Sequence, residues 1–199
     1  MQVKNDYSQN MLGGLMQIVN NMVDLHDPTA AGHQSEVALL ARAIAEEMKQ
    51  DKDVVNCVFY AGQIHDIGKI MVPAEILSSP NKLNHIQQML IMQHPQISYD
   101  MLRPVDLPGC MADVVYQHHE RLDGSGYPRG LSGDQIPMES RILAVADVVQ
   151  AMVTSRSYHL PLGVTSVFEE LDAHKGTLYD SSVVDIYKRL VSVKNSTLT

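Results

Sequence analysis

The sequence contains no tryptophan, only two phenylalanines and only two cysteines in 199 residues. The cysteines, Cys57 and Cys110, do not form the closely spaced pairs that hold a structural zinc ion. Each lies in an apolar stretch with helical spacing, so we predict buried, reduced thiols. Reduced thiols are typical of cytosolic proteins, and we therefore expect a cytoplasmic location.

The sequence also lacks an excess of positive charge and a long hydrophobic run. Its net charge of −8 argues against binding to DNA or RNA polymers, which requires a basic surface. A small anionic ligand is compatible with that charge, because bound metal ions can be the largest local charges. There is no run of about 18 apolar residues, and the mildly apolar stretch from Met11 to Val23 precedes no small-residue cleavage site. We predict neither a membrane span nor a signal peptide.

Helical periodicity is the main feature that is present. Between residues 30 and 50 the apolar residues follow at steps of three and four, and His33 lies on the same inward stripe. Further helices are predicted at 54–65, 83–93, 96–102, 109–119, 138–155, 163–173 and 181–194. A Gly-rich loop is predicted at 123–137. We therefore predict one all-α domain over residues 1–199, with a short extended piece near Met71–Pro73 and a frayed tail from Asn195.

Nine histidines are many for a chain with so few aromatic residues. Taken singly, the notable ones have ordinary structural explanations. The segment HDIGK at 65–69 could be a surface helix end, His33 a hydrogen-bonded core residue, and Asp147 half of a buried salt bridge. The adjacent pair His118 and His119 suits chelation better, although it too has a structural alternative.

Together, these residues supply five imidazoles and two carboxylates, which is too many for one tetrahedral ion. They are His33, His65, Asp66, His94, His118, His119 and Asp147. Two ions that share one bridging carboxylate would use all seven. Imidazole and carboxylate ligands without thiolate favour catalytic iron, manganese or zinc. Two metals about 3.5–4 Å apart are a device for phosphoester hydrolysis.

The order of these residues, with HDIGK and HHERLDGSGYP, resembles the HD-GYP family. Its members are phosphodiesterases of the HD superfamily that act on cyclic dinucleotides, chiefly cyclic di-GMP. The resemblance runs from about Val19 to Tyr187 and includes the segments GLSGDQIPMESRILAVADVV and SRSY. It implies a single HD-type helical domain with the Gly-rich loop, which carries the Gly-Tyr-Pro triplet, at the metal site.

The resemblance also implies a division of the metal ligands. One ion would be held by His33, His65, Asp66 and Asp147. The other would be held by Asp66, as the bridge, with His94, His118 and His119. Iron or manganese is expected, and zinc, nickel or magnesium is compatible with these ligands. A water or hydroxide that bridges the two ions would be the nucleophile, so Asp66 is a predicted catalytic residue.

Three further residues are assigned by the resemblance to the substrate. Lys69 corresponds to the family lysine that contacts the scissile phosphate, and it follows Gly68, where we predict that a helix ends. Arg121 and Tyr127 lie in the segment that lines the ligand pocket of the family. Lys69 is thus predicted to be both catalytic and substrate-binding.

The sequence departs from the family pattern at several positions. Thr29 stands where some members have a glutamate that helps to bind a third metal, so two metals are expected. Glu36 replaces a common basic residue, Gln150 replaces a frequent acid, and Ser157 and His159 replace family residues in SRSYH. These changes concern substrate affinity and choice rather than the two-metal site. The histidines that fit no ligand pattern are expected to be solvated or locally bonded, and they are His26, His85, His159 and His174.

The leading functional interpretation is a bacterial second-messenger phosphodiesterase. It would hydrolyse cyclic di-GMP or 3′,3′-cyclic GMP-AMP to the linear dinucleotide, or further to mononucleotides. A cyclic-dinucleotide receptor of weak or no activity, which signals by protein contact, is the alternative, and a general HD-type nucleotidase is a third. The sequence leaves open a homodimer or a signalling protein as partner.

Overall fold

The computed structural model describes residues 2–107, 109–154 and 164–196 of the chain. Its helices, numbered α1 to α10 in chain order, are Gln2–His26, His33–Glu47, Lys52–Ile64, Ala74–Leu77, His85–Ile91, His94–Leu102, Met111–Gln117, Met138–Val153, Val164–His174 and Ser181–Ser196. Short 3₁₀ helices occur at Pro28–Ala30, Ile67–Met71 and Gly133–Gln135. Within the described ranges the only β-structure is two isolated bridges. The predicted all-α class is therefore confirmed.

The core lies where α2, α3 and α8 pack together. Val37 and Ile44 of α2 are fully buried, as the three- and four-residue steps predicted. Gly62 in α3 permits a close approach to α2, because a Cβ at this position would lie 2.7 Å from the Cα of Ala38. This packing brings the first residue of α2 beside the end of α3.

Helix α1 was not predicted as a helix, because polar residues interrupt its apolar pattern. It packs its buried residues Met16 and Val23 toward α3 and the 3₁₀ helix Ile67–Met71. The predicted extended piece is reduced to Val72, whose backbone is extended at φ −89° and ψ 132°. Val72 pairs with no strand in the described residues.

Two predicted helix boundaries were wrong. Helix α3 ends at Ile64, before Gly68, so Lys69 lies in the 3₁₀ helix that follows. The helix predicted at 96–102 begins two residues earlier, at His94, with Pro95 in its first turn. A proline is tolerated there because the first N–H groups of a helix have no partner within it.

The prediction of two free thiols was also wrong. Cys57 of α3 and Cys110, which precedes α7, form a disulfide with their Cα atoms 6.2 Å apart. The sequence did not reveal this pair because it depends on tertiary packing. Helices α3 and α7 pack against each other, and this brings together two cysteines that are 53 positions apart in the sequence. Among the described helices, none is both long enough and apolar enough to cross a membrane.

Two further predictions concern the end of the chain and the segment SRSYH at 155–159. Helix α10 continues to Ser196, past the point at Asn195 where fraying was expected. The predictions for Ser157 and His159 lie outside the described residues.

Candidate metal centre

The seven predicted ligands come from ends of four helices and from the middle of a fifth. His33 and His94 are the first residues of α2 and α6, and Asp147 lies within α8. His65–Asp66 follow α3 directly, and His118–His119 follow α7. Six of the seven are buried, with exposures of 2% for His33, 0% for His65, 3% for Asp66, 1% for His94, 0% for His118 and 7% for Asp147. His119 is partly buried.

The ligand atoms lie in two groups. The first group consists of His33, His65 and Asp66, and the second group of His94, His118 and His119. Within each group, one ligand atom from every residue lies within 4.8 Å of the others. Such spacing allows one ion to contact all three members, since metal–ligand bonds are about 2.0–2.2 Å.

Two carboxylates stand between the groups. Asp66 Oδ2 lies 3.4 Å from His65 Nε2, while Asp66 Oδ1 lies 3.1 Å from His94 Nε2 in the second group. Asp147 Oδ1 lies 3.0 Å from His33 Nε2, and Asp147 Oδ2 lies 3.8 Å from His119 Nδ1. Each carboxylate therefore faces both groups, and all seven residues that the sequence singled out converge.

Three histidines have their tautomers fixed by the backbone. The Nδ1 atoms of His65, His94 and His118 lie 2.6–2.7 Å from the carbonyl oxygens of the residues three positions earlier. A carbonyl oxygen can only accept, so each Nδ1 donates, and in the neutral ring Nε2 keeps a lone pair. His94 Nε2 and His118 Nε2 lie 3.3 Å apart. Two facing lone pairs repel each other unless a cation lies beside them.

The pKa shifts of His118, His119 and Asp66 favour the protonation states that metal ligands need. Burial lowers the pKa of His118 to about 3, with the neighbouring His65 and His94 adding to the effect. Burial also lowers the pKa of His119. For Asp66, burial would raise the pKa, but Lys69 and His65 outweigh it and hold the pKa well below the usual range. Burial would lower the pKa of His65, but Asp66 and Asp147 outweigh it and raise the pKa. The centre thus combines an ionised carboxylate with two neutral imidazoles, those of His118 and His119.

Orphaned buried atoms give a further test of whether the residues fit a metal. His33 Nδ1, His65 Nε2 and Asp66 Oδ1 are buried and have no hydrogen-bond partner. Such atoms are costly unless something binds them. The contact of Asp66 Oδ1 with His94 is no hydrogen bond, since His94 Nε2 carries no proton in its neutral form. The donor set fits divalent cations.

Lys69 borders the centre and two adjacent cavities. Its Nζ donates to Asp66 Oδ2 at 2.6 Å, and its side chain is only 12% exposed. A smaller cavity of about 290 Å³ has His94, His119 and Asp147 in its wall. A larger cavity of about 710 Å³ has a wall formed mainly by the segment 76–83. Lys69 and Ile91 line both cavities.

Arg121 and Tyr127 both line the smaller cavity. The guanidinium of Arg121 donates to the carbonyl oxygens of His118 and Glu120 and lies 5.6 Å from the ring centre of Tyr179. The ring of Tyr127 lies 4.7 Å from that of His119. Burial raises the pKa of Tyr127, so its phenol stays protonated. The two carbonyl oxygens and the ring of Tyr179 therefore hold the side chain of Arg121 in place.

Sequence reasoning missed the residues that fix the Gly-rich loop. Glu120 is 2% exposed, and its carboxylate accepts from the N–H groups of Arg129 at 2.7 Å and Leu131 at 2.8 Å. A Cβ at Gly126 would overlap the backbone of residues 119–121. In the sequence, Glu120 is a charged residue that follows two predicted metal ligands, His118 and His119. A charged residue in that position can be exposed or buried, so the sequence did not indicate its role.

Ser98 was missed for a similar reason. Its Oγ accepts from the N–H of Gly68 at 2.9 Å and donates to the carbonyl oxygen of His65 at 3.2 Å. A Cβ at Gly68 would overlap the carbonyl oxygen of His94. Ser98 thus connects α6 to the segment that carries Asp66, but an isolated serine in a helical pattern gives no signal of this role.

Three positions that depart from the family pattern, Thr29, Glu36 and Gln150, lie in the part of the chain that the structure describes. Thr29 donates to Asp27 Oδ1 at 2.6 Å and lines the larger cavity. Glu36 is exposed and Gln150 is partly buried. The histidines outside the ligand set match the expectation where they are described: His26 contacts the carbonyl oxygen of Val72 at 2.7 Å, His85 is exposed, and His174 lies 3.9 Å from Glu170.

Comparisons with known proteins agree with this geometry. The family model described as HD domain matches residues 17–183. The "Cyclic di-GMP phosphodiesterase" of Thermotoga maritima is 35% identical over 184 residues, which cover 92% of this chain and 50% of that protein. The "3'3'-cGAMP-specific phosphodiesterase 1" of Vibrio cholerae is 36% identical over 177 residues, which cover 88% of this chain and 41% of that protein.

Solved structures share the fold. A HDG"Y"P protein from Bdellovibrio bacteriovorus gives a TM-score of 0.70 at 14% identity, covering 94% of this chain and 63% of that chain. A cyclic GMP-AMP specific phosphodiesterase of Vibrio cholerae also gives 0.70, at 16% identity, covering 91% and 49%. The chain spans about half the length of the curated relatives it matches. The chain belongs to the HD domain family.

Proposed function

We propose that this chain hydrolyses a phosphodiester bond of a cyclic dinucleotide, either cyclic di-GMP or 3′,3′-cyclic GMP-AMP. The observation that carries the proposal is the pair of ligand groups, one of His33, His65 and Asp66 and one of three histidines, with Asp66 and Asp147 facing both at the wall of a cavity. The names of the relatives support the substrate class. The bacterial signalling role and the cytoplasmic location are part of this proposal. The location now rests on the substrate class alone, because the Cys57–Cys110 disulfide removes the argument from reduced thiols.

Two divalent cations, iron or manganese, would complete the centre. The first would be held by His33, His65, Asp66 and Asp147, and the second by Asp66, His94, His118 and His119. When bound, such ions acidify a water molecule and neutralise charge on phosphate oxygens. The orientation of Asp66 supports its role as the bridge, because each of its oxygens faces a different group.

Lys69 is the residue of this chain best suited to stabilise the transition state. Its ammonium group lies beside the centre and at the junction of both cavities. Negative charge grows on the non-bridging phosphate oxygens during the reaction. A fixed cation there stabilises the transition state more than the bound substrate, which raises the turnover rate.

The Gly-rich loop and its neighbours orient the substrate. Arg121 is held by backbone carbonyls and by the ring of Tyr179, so a ligand need not order its side chain. Tyr127 offers a neutral phenol at the same wall. Glu120 anchors the loop, which keeps that wall at a fixed distance from His119.

The two cavities together suit a substrate with two nucleoside halves. Ligand sites are typically about 300–1,000 Å³, and the cavities measure about 290 and 710 Å³. The scissile phosphate would lie in the smaller cavity beside the metal centre. The other half of the dinucleotide would enter the larger one, where Asn81 and Lys82 offer polar contacts and Leu83 an apolar one.

A receptor without activity is the less favoured alternative, because a binding module has no need of seven converging metal ligands. Both hypotheses are tested by incubating anaerobically purified protein, in Mn²⁺ or Fe²⁺ buffer, with each cyclic dinucleotide. We expect a linear dinucleotide or mononucleotides by chromatography. Tight binding without product would support the receptor, and activity on simple nucleotides alone would support a nucleotidase.

The metal count is tested on the same preparation. Thr29 offers no carboxylate, so elemental analysis should give two ions per chain. Three tightly bound ions, with the third lost on substitution at Thr29 or its partner Asp27, would contradict the two-metal proposal.

A further inference from the structure

The outer surface of α1 carries a row of exposed, large apolar side chains. The row, called here the outer row, consists of Met11, Leu15, Ile18, Met22 and Leu25, which are 51–82% exposed. Five such residues on one helix are unusual, because isolated exposed apolar residues are common but contiguous patches are associated with binding. Nothing in the function proposed above uses this surface.

The spacing of the outer row is that of a helix–helix seam. Successive members are separated by four, three, four and three residues. This alternation is the heptad pattern of a and d positions, whose period of 3.5 keeps a stripe facing a partner helix over two heptads. A helix that only lies on its own domain does not require a second stripe of this kind.

Helix α1 already has a separate row that packs on its own domain. This inner row consists of Leu12, Met16, Val19 and Val23, which belong to the core or pack against it. Each inner residue follows an outer one by a single position, so the inner row is rotated by about 100° around the helix. The domain covers the inner row, and the outer row faces away from it in the part of the chain that the structure describes.

A lipid surface is a poor partner for the outer row. Helices that lie in a membrane interface carry lysine and arginine on their polar face. Between Met11 and Leu25 there is no lysine or arginine, and Asp24 is the one charged residue. The net charge of −8 also opposes an anionic membrane.

A second copy of the same helix fits the outer row in chemistry and in size. The exposed parts of the five side chains amount to roughly 500 Å² per chain, so two copies would bury at most roughly 1,000 Å² through this row, which is the smallest area expected of a specific interface. With Asp24 as its one charged residue, the region carries little charge to oppose the approach of an identical helix. Ile18 is the middle residue of the row, so it would face its own copy across a two-fold axis.

We propose that the chain forms a homodimer in which the outer row of α1 packs against the outer row of a second copy. This proposal does not depend on the proposed activity.

The first experiment measures the oligomeric state by sedimentation of the wild-type chain, an Ile18→Glu variant and a Gln17→Glu control. Gln17 is exposed on the same helix but outside the outer row. We expect the wild type and the control to dimerise alike. Ile18→Glu should weaken dimerisation by at least about 100-fold, because two like charges would be buried face to face. A wild-type chain that stays monomeric, or an Ile18→Glu dimer as tight as the wild type, would overturn the proposal.

A second measurement keeps the test decisive if Ile18→Glu folds poorly. Under oxidising conditions an Ile18→Cys variant should form a covalent dimer on a non-reducing denaturing gel, whereas the wild type and Gln17→Cys should not. Absence of that dimer would contradict the pairing. A wild type that is monomeric but sediments with vesicles of phosphatidylcholine and phosphatidylglycerol would assign the row to lipid instead.

Discussion

The metal centre and the outer face of α1 invert the usual distribution of residues in opposite ways. At the centre, six ionisable ligands are buried, and several of their polar atoms lack a protein partner. Along α1, five large apolar side chains remain exposed. Each arrangement is costly for an isolated chain, since buried polar groups need partners and apolar surface is best removed from water. The difference teaches what each region lacks: the centre needs cations, and the helix needs a second apolar surface.

The strongest test of the centre is removal of the residue that faces both groups. Asp66→Ala should reduce turnover by about 10³-fold or more and lower the metal content, because both ions would lose a ligand. Steady-state kinetics and elemental analysis measure the two effects. Asp113→Ala, an exposed acid in α7, is the matched control and should change neither. An Asp66→Ala variant with full metal content and normal turnover would remove the bridge from the mechanism.

The disulfide tests how firmly the centre depends on its scaffold. Cys57 and Cys110 join α3 to the start of α7, the helices that precede His65 and His118. Closing a loop of 53 residues stabilises a fold by up to about 4 kcal/mol in the chain-entropy model. The Cys57→Ser/Cys110→Ser variant should therefore unfold at lower denaturant concentration. If intact-mass analysis of alkylated wild-type protein finds two free thiols, the disulfide is absent, and only the smaller cost of a hydroxyl at the buried position of Cys57 should remain.

A substitution at Lys69 tests the catalytic role of the centre separately from its ability to bind cations. Lys69→Ala should keep both metals and most of its substrate affinity but lose about 10²–10³-fold in turnover, by analogy with loss of one oxyanion donor. The comparison to make is kcat at saturating substrate beside elemental analysis. Near-normal kcat would mean that the metals alone stabilise the charge of the transition state.

Arg121 tests the substrate wall without touching the ligands. A guanidinium cannot bind a cation, so Arg121→Ala should retain the metals and raise KM by about 10-fold. The side chain also donates to carbonyl oxygens beside the centre, so we expect a loss of about 1 kcal/mol in stability as well. Metal loss in a folded Arg121→Ala protein would show that the loop positions the ligands rather than the substrate.

Much of the fold and of the centre could be predicted, because the helices follow from the spacing of apolar residues and the ligands lie in short sequence motifs. The apolar spacing around Val37 predicted α2, and it also placed His33 on the inward face. The residues that act through tertiary contacts could not be predicted. Glu120 and Ser98 have ordinary neighbours in sequence, and their importance arises from backbone groups that reach them from elsewhere. The pairing of Cys57 with Cys110 was missed for the same reason.

The smallest expected effect comes from a partly buried ion pair that needs no cation, between Arg141 and Asp180. Asp180 accepts from Arg141 at 3.1 Å and from the N–H of Ser182 at the start of α10. Burial would raise the pKa of Asp180, but the hydrogen bonds from Ser182 and Arg141 outweigh it and lower the pKa. Asp180→Asn keeps a residue that can cap the helix and removes the charge, so it should cost about 1 kcal/mol at neutral pH.

The pH dependence of the stability lost in Asp180→Asn tests whether the Arg141–Asp180 pair is independent of the metal centre. A carboxyl with a lowered folded-state pKa stabilises the fold fully above its ordinary value of 3.8 and loses this contribution as the pH falls through the folded-state pKa. The difference in unfolding free energy between wild type and Asp180→Asn should therefore be constant near neutrality and shrink below about pH 4. Added Mn²⁺ should not alter it, because the pair already has its partners within the protein. A difference that grows as the pH falls, or that responds to the metal, would show that Asp180 belongs electrostatically to the centre.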